Sequence, residues 1–109
     1  MNLSKSLSQG WQVIRVDGQV DSKTVGELRD YIDQELQESL PVALDLTGVP
    51  FMSSAGLRTL LTLHRRTQDM NVSLALVGIV PEIADTMKVT GFYDFFTIHP
   101  DLAALPPVS

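Results

Sequence analysis

The sequence predicts an α/β fold in which helices pack on a central sheet, and three observations carry that prediction. Short apolar runs of strand length, such as Val42-Ala43-Leu44-Asp45-Leu46 and Val72 to Val77, alternate with stretches whose apolar residues recur every three to four positions. Turn and breaker residues stand between them: Asp17-Gly18, Pro41, Gly78 and Thr90-Gly91. With 109 residues, 44% of them apolar and 19% charged, the chain matches one domain over 1–109 with one hydrophobic core, and it is too apolar for a disordered tail.

Each element has its own justification. Trp11 to Val16 is rich in β-formers and ends at Asp17-Gly18, which predicts a strand; Leu3 to Ser8 is expected as an edge strand folded onto it through Gln9-Gly10. Val25, Leu28, Ile32 and Leu36 form one apolar stripe and predict a helix over 22–38, capped by Asp21 or Ser22, with a second capping box from Thr24 and Glu27. Its outer positions Glu27, Asp30, Asp33 and Glu38 are most simply a solvated acidic face. Pro41 stops this helix, and Val42–Leu46 follows as a strand apolar enough to be buried on both faces. A second helix is expected over 55–69, with Leu57, Leu60, Leu61 and His64 on one side and Arg58, Arg65 and Asp69 elsewhere. Val72–Val77 is the next strand. Pro81 opens a third helix over 81–89 that ends at Thr90-Gly91. Phe95 to Ile98 reads as a final short strand, and Asp101 as the cap of a last helical turn. The order of strand pairing is not legible in this pattern.

Composition excludes several functions. A formal net charge of -5 argues against nucleic acid, because phosphate contacts need clustered Lys and Arg and His64-Arg65-Arg66 is too short a cluster. Disulfide and thiolate chemistry are absent with cysteine, which fits a reducing compartment. The N-terminus has no apolar signal core, and no apolar stretch approaches the roughly 20 residues of a spanning helix, so a cytoplasmic protein without membrane insertion is expected. His64 and His99 have no carboxylate or histidine at metal-ligand spacing, and no glycine-rich phosphate loop is present. Neither metal nor cofactor is expected, and no acid, base and nucleophile converge in the pattern; the expectation is a protein that is not an enzyme.

One segment stands apart: Asp45-Leu46-Thr47-Gly48-Val49-Pro50-Phe51-Met52-Ser53-Ser54-Ala55-Gly56-Leu57. A buried strand feeds a loop whose serines lie at the mouth of a helix. The plain reading makes Ser53 or Ser54 an N-cap that accepts a hydrogen bond from an unpaired backbone N–H. The sharper reading is a phosphorylation switch. A phosphate at a helix N-terminus adds about -1.5 to -2 charges that the fold tolerates while the surface changes sign.

This segment is similar to the signature of the STAS family of anti-sigma-factor antagonists. There a strand ending in Asp-Leu leads through an apolar pair to Asp-Ser, a small residue, then Gly-Leu. Here Asp45-Leu46, Phe51-Met52 and Ser54-Ala55-Gly56-Leu57 occupy those places. Val13 to Asp21 with Thr24, and Pro81-Glu82-Ile83 with Thr90-Gly91-Phe92, resemble the family's flanking elements, so the likeness is strongest over residues 11–98. It implies a mixed sheet with packed helices and a role in partner switching. The unphosphorylated protein binds an anti-sigma factor that is also a serine kinase. That kinase phosphorylates the motif serine, and a phosphatase restores it. By position the phosphoacceptor is Ser54, with Ser53 as the alternative because it replaces the usual Asp. The implied partner surface comprises Ser53, Ser54, Gly56 and Arg58. The alternative function within the same family is a non-phosphorylated STAS subunit of a membrane-associated transport assembly or another signalling assembly.

Overall fold

The computed structural model describes residues 1–107. Strands β1 (Asn2–Ser8) and β2 (Trp11–Asp17) form an antiparallel hairpin whose ends pair Ser8 with Trp11 and Asn2 with Asp17. Gln9 and Gly10 join them with φ of 54° and 89°; two consecutive positive φ values give the tight turn whose twist matches the strands it links. The chain continues through α1 (Val25–Glu35), β3 (Val42–Gly48), α2 (Ser54–Met70), β4 (Leu74–Val77), α3 (Pro81–Val89) and β5 (Thr97–His99). Short 3₁₀ turns lie on either side of β5, at Tyr93–Phe95 before it and Leu102–Ala104 after it. The five strands lie in the order β1-β2-β3-β4-β5, and every pair after the hairpin is parallel. The expected mixed α/β sheet is therefore present.

All three helices cover one face. Val25, Leu28 and Ile32 of α1, Leu57, Leu60 and Leu63 of α2, and Ile83 and Met87 of α3 share one apolar cluster with Ile14, Leu44 and Leu76 of the sheet. Each fully buried aliphatic side chain contributes roughly 1.5–3 kcal/mol. On the opposite face Trp11, Val13, Ala43, Ala75 and Val77 are covered by Leu105, with Leu102 beside it. The indole N–H of Trp11 donates to the carbonyl of Pro106 at 2.7 Å, which fastens the C-terminal segment there.

Several boundaries differ from expectation for identifiable reasons. The first helix is shorter than 22–38 at both ends. At its start Asp21 Oδ1 accepts from the Thr24 amide at 3.1 Å, and Thr24 Oγ1 accepts from the Asp21 amide at 3.0 Å. This reciprocal cap uses Asp21 as expected, but pairs it with Thr24; the box anticipated between Thr24 and Glu27 does not form. At its end the fully buried Gln12 side chain donates to the carbonyls of Gln37 and Leu40 (2.6 and 2.9 Å) and accepts from the Gln37 amide (2.9 Å). Those bonds draw the chain off the helix and onto β2. β4 begins at Leu74 because Asn71 closes α2 at φ 59° and the Val72 amide donates to the Thr67 carbonyl. Phe95 belongs to a 3₁₀ turn, and the last strand starts at Thr97. On α2 the buried set includes Leu63 and Thr67, while Leu61 and His64 are only half-buried. The His64 ring meets Phe95 and Phe96 edge-on instead.

Candidate functional site

The site is built where β3 gives way to α2. Asp45, 3% exposed, accepts through Oδ1 from the amide and hydroxyl of Thr47, at 3.0 and 2.6 Å. Its other oxygen lies 3.7 Å from the Arg15 guanidinium, which also bonds Asp17 at 3.1 Å. The hydrogen bond and charge of Asp17, followed by the charge of Asp45, hold Arg15 above its ordinary pKa. A buried carboxylate is thus supplied with donors, and it fixes Thr47 near the end of β3.

The loop is then pinned along its length. The Val49 amide donates to the Leu46 carbonyl at 3.0 Å, and Val49 is buried. Val20, on the connection from β2 to α1, forms a parallel bridge with Met52. Val20 donates to the Phe51 carbonyl and accepts from the Ser53 amide (3.0 and 2.9 Å). This pairing places Met52 inward and leaves Phe51 49% exposed beside the serines.

Gly56 is buried on the first turn of α2, where a Cβ would come within 2.5 Å of Met52 Cγ and 2.9 Å of Val20 Cγ1. Gly56, expected on the partner surface, is buried, and its lack of a side chain lets α2 approach the bridge. Ser53 occupies the N-cap position with extended backbone (φ -79°, ψ 176°), yet its hydroxyl makes no capping bond. Ser53 Oγ is buried without a hydrogen-bond partner among the described residues. The plain N-cap reading holds for position and fails for the hydrogen bond. Ser54 is exposed on the first turn of the 17-residue α2, and Arg58 is exposed one turn later. The structure thus brings Ser53, Ser54 and Arg58 together at one helix mouth.

Asp21 borders this region. The Gln19 side-chain amide bonds it at 2.7 Å, and the amides of Lys23 and Thr24 add to that, so its pKa lies below the ordinary carboxylate value, with burial opposing. Glu27, Asp30 and Glu38 are exposed as expected of an outer face. Asp33 departs from that face by reaching Arg66 of α2 at 2.5 Å. Among the described residues no group of three or more His, Cys, Asp or Glu side chains is arranged to hold a metal, and no helix is long and apolar enough to cross a membrane.

The sequence profile of the STAS domain matches residues 3–105. The chain belongs to the STAS domain family. A relative from Bordetella bronchiseptica, BtrV, named as a candidate anti-sigma factor antagonist, is 24% identical over 99 residues, covering 90% of this chain and 85% of its own. The STAS fold recurs in a crystal structure of a candidate anti-sigma factor antagonist from Thermotoga maritima. That structure superposes with a TM-score of 0.85 at 10% identity, over 93% of this chain and 88% of that one. The Bacillus cell-fate determinant SpoIIAA in its phosphorylated form gives a TM-score of 0.62 at 16% identity, over 94% and 96%.

Sequence reasoning missed the part Val20 plays, since an isolated valine after a turn carries no signal for a bridge to residues 32 positions away. The packing of α1 against α2, which also joins Asp33 to Arg66, is a contact their separate periodicities do not encode.

Proposed function

We propose that this chain is an anti-sigma-factor antagonist: it binds an anti-sigma factor that is also a serine kinase, and phosphorylation of Ser54 breaks the complex. Its action is binding, without catalysis of its own, in the cytoplasm, and a phosphatase resets it. The observation that carries this reading is the contrast between the two serines. Ser54 is exposed at the head of α2, whereas the hydroxyl of Ser53 is buried. A kinase reaches the first without opening the loop and cannot reach the second. Two adjacent serines thus offer one usable acceptor.

The physics of the modification agrees with a switch. A phosphate on the first turn meets the positive end of the helix dipole, worth roughly 0.3–1 kcal/mol, so the fold tolerates it. A surface packed around a neutral hydroxyl does not, because the new charge must be desolvated with no partner group waiting for it. The names of the relatives, BtrV as a candidate anti-sigma factor antagonist and SpoIIAA with its phosphorylated form, support the same reading.

The test is phosphosite mapping by mass spectrometry after incubation with the cognate kinase, alongside a binding assay. Phosphate appears on Ser54, and the modified protein stays folded but no longer binds. Ser54→Ala stays folded, binds and resists the kinase. Ser54→Asp mimics the modified state only in part, with less charge and fewer oxygens. Phosphate on Ser53 alone refutes the assignment, and phosphate on neither serine favours a non-phosphorylated subunit of a transport or other signalling assembly.

A further inference from the structure

Between α1 and α2 runs a groove made of two joined depressions that share Arg29, Thr59 and Thr62. The larger, about 420 Å³, opens at the first turns of α2 beside Arg58. The smaller, about 130 Å³, continues toward Arg66 over Ile32 and Leu63. From Arg58 to Arg66 along α2 the groove is roughly 12 Å long.

Its charge is uneven. At the far end Asp33 neutralises Arg66 at 2.5 Å. At the near end, among the described residues, neither Arg29 nor Arg58 takes part in a salt bridge. The threonine hydroxyls do not compete for a ligand's acceptors, since Thr59 and Thr62 donate to the carbonyls of Ala55 and Arg58, at 3.1 and 3.0 Å. The groove therefore offers two forked cationic donors over an apolar floor, in a chain whose net charge is -5.

We propose that this groove receives a short acidic segment of the partner protein, with a carboxylate held between Arg29 and Arg58 and an apolar side chain resting on Ile32 and Leu63. The inference rests on the proposed docking of a partner at the mouth of α2 and extends it by naming what that partner presents. The length fits three or four extended residues. A flat polyanion such as a membrane surface or a duplex does not fit. It would also have to cover α1, whose exposed Glu27 and Asp30 repel it.

The experiment has two arms, both on the full chain. In the first, the ¹⁵N-labelled protein is titrated with an eight-residue peptide alternating glutamate and leucine, and with its glutamine counterpart. The acidic peptide perturbs the resonances of Arg29, Arg58, Thr59 and Thr62. Arg29→Gln and Arg58→Gln each weaken it at least about tenfold, as does glutamine in the peptide. Thermal unfolding of both variants stays at the wild-type temperature, which shows that the loss is not a loss of fold. No perturbation at millimolar peptide, or perturbation insensitive to both substitutions, overturns the proposal. In the second arm the anti-sigma kinase is offered to wild type and to the Arg29→Glu, Arg58→Glu double variant. Binding by wild type and not by the double variant supports the groove. Equal binding by both overturns it and leaves the proposed function standing. No binding by wild type defeats the proposed function, and the peptide arm then decides the groove by itself.

Discussion

The Ser53 amide donates to the carbonyl of Val20 at 2.9 Å, although the two residues lie on different connections of the sheet. The backbone of Ser53 is thus committed to a neighbouring loop, while its hydroxyl stays buried and unpaired among the described residues. The residue is held by its main chain, and its side chain adds nothing to the helix it precedes.

A capping serine replaced by alanine costs about 0.5–2 kcal/mol. Ser53→Ala behaves differently, because it removes a buried hydroxyl with no partner, a group that costs roughly 1–3 kcal/mol when left unsatisfied. Urea unfolding of Ser53→Ala shows stability unchanged or raised by up to about 1 kcal/mol. A loss of 1 kcal/mol or more means that the hydroxyl caps α2 in solution.

Asp21 sets an acid limit. Its folded pKa is depressed by the Gln19 side chain first and then by the amides of Lys23 and Thr24. A depressed carboxylate contributes stability that is fully present above its unfolded value, about 3.9, and is lost as pH falls through the lower folded value. Asp21→Asn is less stable than wild type at pH 7. The gap between the two closes below about pH 4 in urea melts taken across the acid range. A gap that stays constant down to pH 2 removes Asp21 from the account.

Gly78 stands at φ 71°, and a Cβ there would lie 2.1 Å from Thr47 Oγ1 and 3.2 Å from Thr47 Cα. Gly78→Ala combines left-handed strain of roughly 1–2 kcal/mol with crowding of about 1–3 kcal/mol. Denaturant unfolding shows a loss of about 2–5 kcal/mol. A loss under 1 kcal/mol means that the Thr47 side chain turns away freely, and that the contact does not hold the end of β3.

Leu105 is the buried cover of the second sheet face, packed with Trp11. Leu105→Ala costs about 2–5 kcal/mol, as for other buried leucines. Trp11 is the only tryptophan, so its emission moves to longer wavelength in the variant if the segment lifts. Unchanged emission and unchanged stability contradict the role of the segment as a cover.

Most of the fold was legible because most of it is local. The stripe of Val25, Leu28 and Ile32, the run Val42–Leu46 and the Gln9-Gly10 turn each declare themselves within a few residues. What was hidden depends on distant partners. The early end of α1 needs Gln12, which lies 25 residues before Gln37. The rotation of α2 that buries Leu63 in preference to His64 follows from what the sheet and α1 place beneath it. At the site, the motif placed Ser54 and Arg58 at the mouth of a helix. The burial of Gly56 and of the Ser53 hydroxyl depends on Val20 and Met52, and so on a bridge that exists only after folding.

Because β2, β3, β4 and β5 run parallel in sequence order, with every helix on one face, the connections leaving β2, β3 and β4 emerge along a single rim. Val20 and Arg29 belong to the crossover from β2 to β3 and Ser53 to the next one, and they meet there or beside it. On the proposed docking, what a partner recognises is a conformational epitope, written in pieces that no linear stretch contains. A synthetic peptide copying residues 45–58 carries the serine and Arg58, but lacks Arg29 and the Val20 pairing. Such a fragment is a poor competitor for the intact chain.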